Sequence, residues 1–131
     1  MSEKNWMELL GWSEDQLEDI RFVGYTYIKE GQYDTALSFF QALTALNPNN
    51  LYDMQTLGAL YLQKGESQEA LNYLERALKI DESHLPTKLN QVKALFLLGF
   101  FQQALPKAQE LAAASDPDIA NKAQALIQAY S

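Results

Sequence analysis

An all-α solenoid is the fold this chain predicts, and three observations predict it. Gly31, Gly65 and Gly99 recur at intervals of 34 residues, and Ala36, Ala70 and Ala104 keep the same interval, as do Leu37, Leu71 and Leu105. Each glycine separates two stretches whose apolar residues return every three or four positions, the spacing of a helix face. The 131 residues are 47% apolar and led by Leu and Ala, with four prolines and six glycines set mostly where helices should stop. A period of this length with one glycine per unit denotes stacked helix-turn-helix units, each of which buries its apolar face only against its neighbours. Such stacks usually offer a grooved surface to a partner chain and seldom catalyse.

The elements follow in order. Residues 3–10, with Trp6, Met7, Leu9 and Leu10, make a short amphipathic N-terminal helix ended by Gly11. Ser13 and Gln16 form a capping box, after which Leu17, Ile20, Val23, Gly24, Tyr27 and Ile28 recur at helical spacing up to Gly31. Asp34 or Thr35 is placed to cap the second helix, with Ala36, Leu37, Phe40, Leu43 and Leu46 on its apolar face. Asn47-Pro48-Asn49-Asn50 stops it, because proline cannot continue a helix and asparagine accepts the left-handed conformation. The pattern restarts over Leu51 to Lys64 and, capped by Ser67, over the partner helix that carries Ala70, Leu71, Leu74 and Ala77. A third pair spans Leu85 to Leu98 and Phe101 to Ala114, with Pro106 early enough in its second helix to strain it. Ser115-Asp116-Pro117-Asp118 then opens a capping helix that carries Ile119, Ala123, Leu126, Ile127 and Tyr130. The expected organisation is one domain, 1–131: an N-terminal segment 1–12, repeats at 17–50, 51–84 and 85–118, and a capping helix at 116–131.

Composition narrows the function by exclusion. A net charge of −7 with ten scattered cations and no basic stripe argues against nucleic acid. Without cysteine there is no disulfide, thiol nucleophile or thiolate metal site. His84 is the single histidine, so neither a histidine metal cluster nor a Ser-His-Asp triad can be built, and it reads as a solvated turn residue. The glycines are spaced one per repeat, which makes no phosphate loop. Glu14-Asp15 and Asp81-Glu82 fall at helix ends, where charge–dipole support or solvation explains them. No catalytic residue, cofactor or metal is expected. The N-terminus lacks the apolar run of a secretory signal, and the most apolar stretch, Ala94 to Leu105, is shorter than the ~20 residues that span a bilayer. A cytoplasmic protein with no stable membrane insertion is the expectation.

Residues 17–118 resemble the tetratricopeptide repeat. Gly24 with Ala36 and Gly58 with Ala70 sit at the positions where that family packs small residues across the helix pair. Tyr27 and Tyr61, Phe40 and Leu74, and Pro48 occupy further positions of the pattern. The third repeat departs from it, with Val92 for the glycine, Leu95 for the tyrosine and Ala108 for the large residue. The first repeat, YIKEGQYDTALSFFQALTALNP, is also similar to the opening repeat of class II type III secretion chaperones, through Tyr27, Gly31, Tyr33, Ala36, Phe40, Gln41, Ala42, Leu43 and Leu46. The chain is near the size of the tetratricopeptide chaperones that guard needle subunits of the same machines.

The resemblance implies that the first helix of each pair lines a concave face. Carried over position by position, that face holds Arg21, Tyr25, Ile28, Tyr52, Gln55, Ala59, Leu62, Lys93, Phe96 and Leu97. A solvated groove should be polar, whereas this one carries an apolar and aromatic row, as a docking site does. The two-carboxylate clamp that holds heat-shock chaperone C-termini is not assembled: of Arg21, Tyr25, Thr56, Pro86 and Asn90 at its positions, only Arg21 and Asn90 suit it. Trp6, Leu9, Leu10 and Trp12 form a second apolar cluster, open to two readings, an end cap or a self-association surface. The partner implied is a protein or peptide client with an apolar segment, with a homodimer or a heteromeric chaperone complex as the possible assembly. A type III secretion translocator or needle component would be such a client. An adaptor in a standing complex and a self-assembling structural subunit are the alternatives.

Overall fold

The computed structural model describes residues 11–131; the expected N-terminal helix, with Trp6, Leu9 and Leu10, lies outside them. Among the described residues there are seven helices and no strand: α1 Glu14–Lys29, α2 Tyr33–Leu46, α3 Leu51–Gln63, α4 Ser67–Ile80, α5 Leu85–Leu97, α6 Phe101–Ala112 and α7 Pro117–Ala129. Each packs on the next, so α1–α2, α3–α4 and α5–α6 are antiparallel pairs and α7 closes the stack against α6 and α5. This is the helical solenoid that the period implies.

One turn is used three times. Gly31, Gly65 and Gly99 adopt φ of 77°, 81° and 84°, left-handed backbone that glycine enters without a Cβ penalty. Around them Gln32, Glu66 and Phe100 donate their N–H groups to Tyr27, Tyr61 and Leu95 carbonyls, each at 2.9 Å, the six-to-one bond of a Schellman turn. The residue that closes this turn is itself the N-cap of the following helix, since Ala36, Ala70 and Ala104 N–H groups return to its carbonyl. That corrects two expectations. Asp34, Thr35 and Ser67 do not cap: α2 and α4 start at Tyr33 and Ser67 behind Gln32 and Glu66, with no side-chain cap bond. The turn is too short to leave room for one. Side-chain caps appear at α1, α3 and α7: Ser13 in a full capping box with Gln16, Asn50 accepting from Asp53 N–H, and Asp116 accepting from Asp118 and Ile119 N–H; α5, behind His84, has none. Asn47 ends α2 with φ −140°, not left-handed as its residue type suggested.

The core runs along the pair interfaces. Leu17, Phe40, Leu43, Leu57, Leu74, Val92 and Leu95 are fully enclosed within it. A Cβ on Gly24 would stand 2.7 Å from the Phe40 ring, and one on Gly58 would stand 2.5 Å from Leu74 Cγ and Cδ2. The glycines thus receive the large residue of the second helix, more than the alanines at 36 and 70. The third repeat uses the reverse arrangement. Val92 and Ala108 hold the equivalent positions and are both fully buried, so bulk has moved from the second helix to the first. What looked like decay of the pattern is an exchange of volume across a close-packed interface, where volume matters more than identity. Helix α6 runs through Pro106. Leu105 is 39% exposed although its equivalents Leu37 and Leu71 are buried, because no second helix follows α7 among the described residues to cover it.

Candidate functional site

The sequence of contacts gives the stack an inner face. The backbones of α3 and α5 approach each other, as do those of α5 and α7, whereas α2, α4 and α6 make no such approach to one another. A sheet of helices whose first members crowd together and whose second members diverge is concave on the side of the first members. Helices α3, α5 and α7 therefore line the groove, and α1 is tied to α3 by side chains.

Side chains join α1 to α3 across its floor. Arg21 Nε donates to Asp53 Oδ1 at 2.6 Å and Nη2 to Oδ2 at 2.8 Å, a bidentate pair in which Asp53 is fully buried and Arg21 7% exposed. Arg21 Nη1 also bonds Glu18 and lies 3.7 Å from Glu14 Oε1. The Asp53 hydrogen bonds raise the guanidinium above its already high ordinary pKa; burial opposes them, and the Asp53 and Glu18 charges add to the rise. Beside this pair the Tyr25 hydroxyl and Thr56 Oγ1 lie 3.2 Å apart. The Tyr25 ring stands edge-on to Phe40, centroids 5.0 Å apart, and remains partly open to solvent.

The residues expected on the inner face divide into three sets. Tyr25 and Tyr52 are exposed, Tyr52 by 60%, and so are Lys93 and Leu97; Ile28, Gln55, Ala59 and Leu62 are half-buried. Arg21 is a correction: its guanidinium is consumed by Asp53, Glu18 and Glu14 and is not presented to a ligand, since an unpaired charge at that depth would be costly. Phe96 is a second correction. It is 3% exposed because Tyr130, at the end of α7, stacks on it with centroids 4.7 Å apart and planes 5° apart. His84 is a third: it is half-buried, with Nδ1 2.7 Å from Thr87 Oγ1 and its ring 5.6 Å from that of Tyr52. Trp12 is 37% exposed.

Sequence reasoning missed Asp53 and the contribution of α7. Asp53 stands three residues after the N-cap Asn50, where an acidic residue reads as ordinary support for a helix start, and its N–H does bond Asn50 Oδ1 at 2.9 Å. Its carboxylate, turned to α1, has no signature in the sequence. Helix α7 adds Lys122 and Leu126 opposite Leu89, Asn90 and Lys93 of α5, around a trough of about 470 Å³.

Among the described residues, no cluster of three or more His, Asp or Glu is placed to hold a metal ion. No described helix is long and apolar enough to cross a membrane. Helix pairs in a period, a concave row of first helices and a floor tied by side chains define a repeat-built helical solenoid with a groove.

Residues 16–83 match the family model of the tetratricopeptide repeat, and the chain belongs to that family. Among solved structures it is similar to the type III secretion translocator chaperone SycD of Yersinia enterocolitica, at 20% identity over 98% of this chain and 99% of that one, with a TM-score of 0.82. It is similar to PcrH of Pseudomonas aeruginosa; the PcrH complex with the chaperone binding region of PopD matches at 26% identity over 92% of this chain and 94% of that one, TM-score 0.82. The first tetratricopeptide domain of Spaghetti, bound to an HSP90 peptide, matches at 17% identity over 89% of this chain and 94% of that one, TM-score 0.78. A comparison with curated proteins finds no match. The likeness to type III secretion chaperones read from the first repeat is thus met among solved structures, while the Spaghetti domain illustrates that the fold alone does not choose the occupant.

Proposed function

We propose that this protein is a non-enzymatic, cytoplasmic chaperone that holds an apolar segment of a partner protein in its inner groove. The type of client we assign is a type III secretion translocator. One observation carries the reading: Tyr25 on α1 and Tyr52 on α3 stand exposed, and the same two helices carry half-buried Ile28 and Leu62. Tyrosine supplies a large, rigid contact area at small entropic cost, and its hydroxyl keeps the empty groove wettable. Burying apolar surface at ~25 cal/mol per Å² would shield the client from aggregation, and a preformed groove spends little on reordering. The similarity to PcrH bound to the chaperone binding region of PopD supports the choice of client.

The test uses a labelled peptide from that chaperone binding region and fluorescence anisotropy. An anchoring aromatic contributes ~2 kcal/mol or more, so Tyr52→Asp should weaken binding by about 30-fold or more while the helical circular dichroism spectrum is kept. Unchanged affinity in the folded variant refutes the groove as the site.

A further inference from the structure

The groove carries opposite charge at its two ends. At the α1 end, three carboxylates, Glu14, Glu18 and Asp53, surround the single guanidinium of Arg21 and leave that end net negative. At the α7 end, the trough between α5 and α7 has Leu89, Leu126 and Ala129 on its walls and Lys93, Lys122 and Asn90 around it. Its volume of about 470 Å³ lies within the range of roughly 300–1,000 Å³ found for small-ligand pockets, enough for one or two side chains. Lys88, the other lysine of α5, pairs with Glu110 at 3.9 Å, but Lys93 has no carboxylate at ion-pair distance among the described residues. Lys122 meets Asp118 at 3.1 Å across an exposed helix turn, a contact of small energy that a better acceptor can displace. In a chain of net charge −7, two lysines and an amide converging on an apolar trough form a local reversal of sign.

We infer that the α5–α7 trough receives an apolar side chain followed by an acidic residue of the bound protein segment, whose carboxylate is taken by Lys93 and Lys122. This rests on the groove reading above and adds a direction to it: the acidic end of the client lies over α7, away from the Glu14–Glu18 end. Asn90 Nδ2 can donate to the same carboxylate, and Leu89 and Leu126 enclose the preceding apolar group. The site differs from a clamp for a free C-terminus, because Pro86, at one of that clamp's positions, offers no side-chain donor and Arg21 is spent inside the fold.

Two fluorescein-labelled peptides that share one Leu- and Ala-rich core test it, one closed by paired aspartates and the other by paired lysines, each titrated with the full chain. Despite the negative charge of the protein, the aspartate peptide should bind about tenfold more tightly at low salt, with the preference shrinking at high salt as screening predicts. Lys93→Glu combined with Lys122→Gln should abolish or reverse the preference; both sites are solvent-facing, and an unchanged circular dichroism spectrum verifies folding. Equal affinity for the two peptides, or tighter binding of the lysine peptide, overturns the inference. If that equal binding is still lost in Tyr52→Asp, the groove reading stands and only the charge assignment falls. Binding of neither peptide overturns both.

Discussion

Asp53→Ala is the perturbation with the sharpest consequence. Asp53 is fully buried, and Arg21, 7% exposed, directs two of its nitrogens to it. Truncation leaves a guanidinium enclosed by the fold with only Glu14 and Glu18, whose side chains are 55% and 63% exposed, as partners. Breaking one side of a buried pair costs ~3–5 kcal/mol; the two exposed glutamates offset part of the loss and place this case near ~3 kcal/mol. Unfolding entropy of about 2.1 cal/mol/K per residue, taken over 131 residues, converts that into a melting point lower by about 11 °C. The companion variant Arg21→Met/Asp53→Leu removes both charges and keeps volume, so it should lie within ~1 kcal/mol of the native protein. Thermal melts and urea titrations followed at 222 nm measure both. A loss below ~1 kcal/mol for Asp53→Ala, or a double variant as unstable as the single one, refutes the view that this pair fastens α1 to α3.

Three further outcomes follow from the packing and the charges. Gly58→Ala should cost about 1–3 kcal/mol, because its Cβ would stand 2.5 Å from Leu74; introduced into Leu74→Ala, the same substitution should add no further loss, since its methyl then enters space that the leucine has vacated. Tyr130→Ala should cost about 1–2 kcal/mol and raise the binding of a hydrophobic dye, since it removes the ring stacked on Phe96; a dye signal equal to that of the native chain refutes the view that Tyr130 covers Phe96. The Asp81 carboxylate is held below its ordinary pKa, first by the Ser83 hydroxyl and then by the Ser83 N–H. Its contribution is present above the ordinary carboxylate range and is lost as pH falls through the lowered value. Ser83→Ala should therefore move the carboxyl titration, read by NMR, toward higher pH, and an unmoved titration refutes the assignment.

The glycine turns and the succession of helices were legible because glycine at positive φ and apolar residues at helical spacing are local requirements, whereas the caps of α2 and α4 were not, since the turn itself supplies them. The exposed tyrosines were legible through the family's register, which places Tyr25 and Tyr52 on first helices. Arg21 and Phe96 were not. An arginine on an inner helix face reads as a ligand-facing cation until Asp53, 32 positions away, is seen to enclose it. Phe96 reads as a groove anchor until α7 folds back and lays Tyr130 over it.

The amino-acid order alone determined the repeat, its punctuation and the class of fold, since periodicity is written along the chain and each unit is nearly the same local problem. The three-dimensional arrangement decided which inner-face groups are spent on the fold and which remain for a partner. It also decided that Val92 and Ala108 satisfy the packing that Gly58 and Leu74 satisfy one repeat earlier. Those are questions of volume and charge shared between helices, and no single helix carries the answer.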